Sequence, residues 1–212
     1  MELIYFIKIT PNQVYRMNSS RELQKEYANR FGDIEIYRNN VWQILTQNYF
    51  QDIIGLDKSI LDLGCGWGEF INNISAKEKF GMDLNPDSKL KVDSNITIYN
   101  QDCSQEWGVD ANSLDTVFTS NFLEHLLSKD DLSKTLSHAY RSLKEGGEIY
   151  CLGPNLLHTG EAYWDFYDHH IPLTHNSMKE ALEITGFKVK KVIPKFLPYT
   201  MSNGKTKPLF LL

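Results

Sequence analysis

Cysteine is scarce in this chain of 212 residues. There are three, at Cys65, Cys103 and Cys151, and no C-x-x-C pair. An odd count at wide spacing is no disulfide framework; it fits small buried hydrophobes in a reducing compartment. Long apolar runs are also missing. The apolar opening Leu3–Ile7 has no basic residue ahead of it, and no segment approaches the ~20 residues that a transmembrane helix needs. A cytoplasmic protein without a transmembrane segment is therefore expected. A basic excess is missing too. With 22 Lys+Arg against 27 Asp+Glu, the net charge is −5. That argues against sequence-independent binding to a phosphate backbone, so no nucleic-acid partner is expected. Internal repeats and low-complexity stretches are absent. What remains is an ordinary globular composition, 42% hydrophobic and 23% charged, long enough for one α/β domain plus an extra segment.

The most informative stretch is Ile60-Leu61-Asp62-Leu63-Gly64-Cys65-Gly66-Trp67-Gly68-Glu69-Phe70. An apolar strand ends near an acid, three glycines alternate, and a helix pattern begins. Alternating glycines let the backbone turn tightly and let a ligand approach it closely. In a doubly wound sheet such a turn lies outside the carboxyl end of a strand, where ligands bind. The spacing G-x-G-x-G differs from the G-x-G-x-x-G of dinucleotide folds. Asp62, two residues before the first glycine, suits a cationic or hydroxyl-rich ligand better than a phosphate.

This stretch resembles the first motif of class I S-adenosylmethionine-dependent methyltransferases, and further motifs follow in order. Phe80-Gly81-Met82-Asp83-Leu84-Asn85 resembles the second strand with its ribose-binding acid. Asn100-Gln101-Asp102-Cys103 resembles the adenine-contacting turn after strand three. Thr116–Leu126 is similar to strand four and its loop, and Leu143–Ile149 to the junction before strand five. The resemblance covers about residues 58 to 153. It implies a doubly wound, Rossmann-like, mainly parallel sheet with S-adenosylmethionine as cofactor. It also assigns the glycine turn (Gly64, Cys65, Gly66, Trp67, Gly68), with Asp62, Leu84 and Asn121, to the cofactor site. Asp83 would accept from the ribose diol. Asp102 would accept from the adenine amine, with the Cys103 N–H donating to the ring. The bland alternatives are a strand-end surface acid for Asp83, a turn-capping acid for Asp102 and a core residue for Trp67.

Strand and helix alternate from Lys58 onward, which predicts a parallel sheet. Strands are expected near 59–63, 79–83, 96–99, 114–119, 147–152 and 187–193. Helices are expected near 68–76, 86–91, 130–144 and 176–185. Gly146-Gly147 should end the third of these, and Asn176 or Thr174 should cap the last. Residues 1–57 form a separate N-terminal segment ahead of the methyltransferase domain at 58–212. It carries a helix opening at Ser19-Ser20 with Leu23, Tyr27 and Phe31 at fourfold spacing, and a second from Ile36 to Ile54. In the family such helices cap the cofactor pocket. Members also have a seventh strand paired with the sixth. Here Pro194, Pro198 and Pro208 interrupt that region and the sequence closes on apolar Pro208–Leu212, so the last strand is expected to be lacking.

Methyl transfer to oxygen needs a base near neutral pH, and histidine is the natural choice. Two sites compete. His125 follows strand four. His169 and His170 lie in Trp164-Asp165-Phe166-Tyr167-Asp168-His169-His170, an aromatic and polar loop after strand five. Each could equally be a hydrogen-bonded structural histidine. The four histidines between His158 and His175, with Asp165 and Asp168, match no standard zinc spacing, so no metal is expected.

Residues 163 to 187 are similar to superfamily members of bacterial polysaccharide and glycolipid biosynthesis. This implies a sugar hydroxyl on a small-molecule or glycan acceptor. After Glu183 no acid occurs, and six lysines follow, Lys188, Lys190, Lys191, Lys195, Lys205 and Lys207. They would suit an anionic carrier, or be a solvated surface. Alternatives are methylation of a quinone or other lipid-like molecule, and a non-catalytic cofactor-binding partner subunit. The oligomeric state is not legible.

Overall fold

The computed structural model describes residues 20–197. Leu3–Ile7, Lys205, Lys207 and the close of the chain lie outside the described residues, as does the Leu23 side chain. Five strands form one parallel sheet: β1 (Ser59–Leu63), β2 (Glu78–Met82), β3 (Thr97–Tyr99), β4 (Leu114–Ser120) and β5 (Leu143–Leu152). Their order is β3-β2-β1-β4-β5. The order reverses between β1 and β4, and a crevice opens at the carboxyl ends of strands at such a switch point.

β1 explains why its sequence is almost continuously apolar. All five residues are buried, as expected of a central parallel strand covered on both faces. Ile60 turns to one face, toward Phe70, Ile71 and Phe118. Leu61 and Leu63 turn to the other, toward Val117, Leu132 and Leu136 of α6 (Lys129–Ser142). The N-terminal helices supply the first face. After α1 (Ser20–Phe31), α2 (Glu35–Leu45) contributes Val41 and Leu45, and α3 (Gln51–Ile54) contributes Ile54. Phe50 joins them, with its ring 5.0 Å from that of Phe118. Burying one such side chain stabilises the fold by about 1.5–3 kcal/mol. A π turn at Thr46–Phe50 joins α2 to α3, so the helix expected from Ile36 to Ile54 continues with one wider turn.

Local signals set the helix ends. Ser128 caps α6 by accepting from the Asp131 N–H. Of the two candidate caps for α8 (His175–Thr185), Thr174 takes the role through a capping box with Ser177, and Gly186 closes the helix at φ +114°. α4 (Glu69–Asn73) is shorter than expected, because Ile74 turns to extended backbone, and α5 (Ser88–Lys91) and α7 (Leu156–Thr159) are single turns.

Two expectations are corrected. Gly146 and Gly147 do not end a helix. α6 stops at Ser142, and β5 starts at Leu143. The ladder with β4 jumps from Leu114↔Leu143 to Thr116↔Glu148. The glycines absorb this bulge: Gly146 sits at φ +77°, and a Cβ on Gly147 would lie 2.9 Å from the Lys144 carbonyl. Residues 187–193 form no strand. A strand exists through its ladder, and the partner expected for this one was itself expected to be lacking. Pro194 removes a further donor. Among the described residues, β5 has a ladder on one side only, with β4.

Candidate active site

The glycine turn leaves β1 at the switch point. Gly64 and Cys65 both donate to the Met82 carbonyl, at 2.8 and 3.2 Å, which ties the turn to the end of β2. Gly64 and Gly66 adopt φ +74° and +52°, a region that L side chains rarely enter. Close approach adds a second requirement. A Cβ on Gly64 would lie 2.2 Å from Phe122 Cγ, and one on Gly66 would lie 2.3 Å from Tyr27 Oη. Thus Phe122, from the loop after β4, and Tyr27, from α1, lie against the turn. Sequence reading gave Tyr27 only a place in a helix pattern.

Asp83 follows β2 and faces this turn. Its Oδ2 accepts from the Gly66 N–H at 2.8 Å, and its Oδ1 from the Asn85 N–H at 2.7 Å. Each oxygen keeps a further lone pair. Burial pushes the Asp83 carboxyl up, against these two donors and nearby His125. Asp62 is buried within β1. Burial, then Glu69 and Asp83, push its carboxyl well up, and the Ile71 backbone holds it. Glu69, also buried, accepts from Arg38 Nε at 2.8 Å. Arg38 lies over the Phe31 ring at 3.9 Å. Three carboxyl groups thus surround the turn with one arginine between them, a field that favours a positive ligand. Glu69 stands in the motif stretch without an assigned role, and Arg38 lies in no motif at all.

The remaining cofactor candidates divide. Asp62, Gly64, Cys65, Gly66, Asp83, Leu84, Asp102, Cys103 and Asn121 line one continuous cleft. Asp102 Oδ1 accepts from both the N–H and the hydroxyl of Ser104, at 2.8 Å each, so it caps its turn. The buried Cys103 places its thiol 3.4 Å from Thr135 Oγ1. Asn121 holds φ +46° where β4 gives way to its loop. Trp67 and Gly68 are not part of the cleft lining. Trp67 packs between Tyr27, at 5.2 Å, and Lys91. Gly68 precedes α4 at φ +82°.

A second group closes the cleft beyond β4. The Glu124 carbonyl accepts from the His170 and Ile171 N–H groups, at 2.9 and 3.1 Å. This staple brings His169 to His125, with ring centroids 4.9 Å apart. His125 Nδ1 lies 3.0 Å from the Asp168 carbonyl and 3.1 Å from its Oδ2. Arg30 of α1 grips the same carboxylate with two bonds of 2.8 Å. Burial pushes the His125 ring down, but Asp168 and Glu124 outweigh it and the net shift is upward. Burial also acts on Asp168, yet His125 and Arg30 hold its carboxyl far below the usual range. His169 is pushed down to about 4 by burial and by its charged neighbour His125. Both His125 and His169 line the cleft. His170 is exposed and lies outside it.

The sequence pattern of a methyltransferase domain family matches residues 34–192. The chain belongs to that family. No curated protein matches it. Its fold is shared with a methyltransferase solved in complex with the Trm112 methyltransferase activator of Haloferax volcanii, with TM-score 0.65 and 20% identity over 80% of this chain and 78% of that one. An S-adenosylmethionine-dependent methyltransferase from Archaeoglobus fulgidus gives TM-score 0.60 and 25% identity over 71% and 69%. A methyltransferase structure from Bacillus halodurans gives 0.59 and 18% over 68% and 69%. The chain is thus a class I methyltransferase that uses S-adenosylmethionine. The methyltransferase's own residues fit that cofactor. The surplus of carboxyl groups at the turn suits a cationic, diol-bearing molecule.

Proposed function

We propose that this methyltransferase acts on a hydroxyl of a sugar or glycan intermediate. The observation that carries the reading is the polar cluster Glu124–His125–His169, which lies in one cleft with Asp83 and the glycine turn. When bound, S-adenosylmethionine supplies a methyl group already activated on a sulfonium. Asp83, fixed by two backbone N–H groups, accepts from the ribose hydroxyls through its remaining lone pairs. Asp102 and the Cys103 N–H meet the adenine. Tyr27 and Phe122 exclude water from the turn. The cluster beyond β4 receives the acceptor hydroxyl and manages its proton, with the neutral form of His125, oriented by Asp168, as the base.

Lys188, Lys191 and Lys195 also line this cleft, which supports an acceptor on an anionic carrier. An all-apolar mouth would have favoured a quinone. The test couples cofactor binding to an acceptor panel. Asp83→Asn should weaken S-adenosylhomocysteine binding by about 1.5–3 kcal/mol, read by calorimetry. Methyl transfer to glycosyl diphosphate carriers, and not to quinols, is the expected outcome. Turnover on quinols alone would overturn the acceptor class.

A further inference from the structure

Glu124, His125 and His169 offer three ligand atoms that all lie within 4.8 Å of one another. Glu124 and His125 are neighbours, but His169 lies far along the chain, so no spacing rule could reveal the trio. Two of them are deeply buried, Glu124 at 2% and His169 at 7% exposure. His169 Nδ1 is sealed from solvent without a hydrogen-bond partner. A polar nitrogen buried without a partner is costly unless something meets it. Glu124 Oε1 stands 4.0 Å from His125 Nε2, too far for a hydrogen bond, so the two groups face each other without closing on one another.

His125 is oriented as a ligand would be. Its Nδ1 faces the Asp168 carboxylate at 3.1 Å, which leaves Nε2 turned toward Glu124. A carboxylate on the far nitrogen is the arrangement that fixes the tautomer of metal-bound histidines and raises their basicity. Arg30 locks that carboxylate in turn. The support around the cluster is stiff. Tyr163, fully buried, receives the Leu173 N–H on its hydroxyl, and the Glu124 carbonyl staples the 170–171 backbone.

We propose that Glu124, His125 and His169 bind a divalent first-row transition cation. Two imidazoles and one carboxylate are a ligand set suited to zinc and its neighbours, and they leave positions open. Bond lengths of about 2.0–2.2 Å put the ligands of a tetrahedral ion ~3.3–3.5 Å apart, so the cluster needs to close by roughly 1 Å. The open position faces the cleft and would take an acceptor oxygen, lowering its pKa. This last role rests on the hydroxyl acceptor proposed above; the cation site does not. With the cation present, His125 is a ligand, and coordination replaces it as the means of activating the hydroxyl.

The test uses the full chain, stripped with chelator and titrated with Co²⁺ followed by visible absorption, with Zn²⁺ as competitor. S-adenosylhomocysteine affinity is measured in parallel on every protein. A tetrahedral Co²⁺ spectrum that saturates at one equivalent and is displaced by Zn²⁺ is expected. Glu124→Gln and His169→Gln should abolish it, while S-adenosylhomocysteine affinity is retained. Asp168→Asn, which leaves all three ligands in place, should weaken Co²⁺ about 10–100-fold. It serves as the reporter if either ligand variant misfolds by circular dichroism. A wild-type chain that binds S-adenosylhomocysteine but takes up no Co²⁺ overturns the site. So does uptake that the variants leave unchanged. Co²⁺ uptake that depends on Glu124 and His169 in a chain without S-adenosylhomocysteine binding would uphold the site and overturn the cofactor assignments instead.

Discussion

Replacing Gly66 by alanine brings a methyl group to 2.3 Å from Tyr27 Oη and 2.9 Å from its Cζ. Two costs separate. The first is backbone: at φ +52° a Cβ costs about 1–2 kcal/mol. The second is the collision. The phenol cannot swing aside freely, because its ring is wedged against Phe31 and Trp67 at 4.7 and 5.2 Å. Overpacking of this kind costs about 1–3 kcal/mol. The expected loss of stability is therefore roughly 2–5 kcal/mol. Tyr27→Ala removes only the second cost. In that background Gly66→Ala should cost about 1–2 kcal/mol, a coupling of about 1–3 kcal/mol between α1 and the turn. Urea unfolding of the four proteins, followed by tryptophan fluorescence, measures each term. Equal losses in the two backgrounds, within about 0.5 kcal/mol, would refute the seating of α1 on the glycine turn.

Phe50→Ala should destabilise the fold by about 3–5 kcal/mol, since it opens a cavity among Phe70, Phe118 and Trp42; a loss below about 1 kcal/mol in chemical denaturation would mean that the N-terminal helices are not part of the core. Asp115 accepts from the Ser59 N–H and Lys144 Nζ, at 2.9 and 2.8 Å. Burial raises its carboxyl, but these donors outweigh burial and leave it below the ordinary value. A depressed carboxyl stabilises the fold above its unfolded pKa of ~3.9, and that share is lost as pH falls through the folded value. Asp115→Asn should therefore cost about 1 kcal/mol at neutral pH, with the two stability curves converging in acid; a gap that stays constant through the acid titration contradicts the pairing.

The geometry of the glycine turn and Asp83 was legible because it is local. Asp62, the glycines and Asp83 sit at strand ends whose neighbours are fixed by short crossovers, so spacing alone carries their geometry. The histidine cluster beyond β4 was legible only in part. His125 and His169 stood out as candidates, but their meeting with Glu124 depends on two backbone bonds from residues 170 and 171. Nothing in the periodicity of α1 says that Tyr27 will lie on Gly66, because which face meets which turn is settled by tertiary packing. The segment 187–193 failed for the opposite reason. Its alternation of apolar and basic residues is a fair strand pattern, yet a pattern describes one partner of a ladder and is silent on the other. Gly146-Gly147 reads equally as a helix stop or a bulge, and only the register against β4 decides.

β1 lies at the middle of the sheet, but its two neighbours reach it at very different times. Ser59 and Asp115, bonded across the β1–β4 boundary, are 56 residues apart in the chain. At ~5–20 residues per second, a ribosome exposes one flank of β1 for roughly 3–11 seconds before β4 has been made. During that interval β1 can pair with β2 on one side only. Its other side offers free N–H and C=O groups along an apolar strand, the template on which wrong strands add. The nascent half-sheet β3-β2-β1 is consequently the stage of biogenesis at which this protein most needs shielding, and a slowed or chaperone-poor translation system should yield aggregates nucleated there.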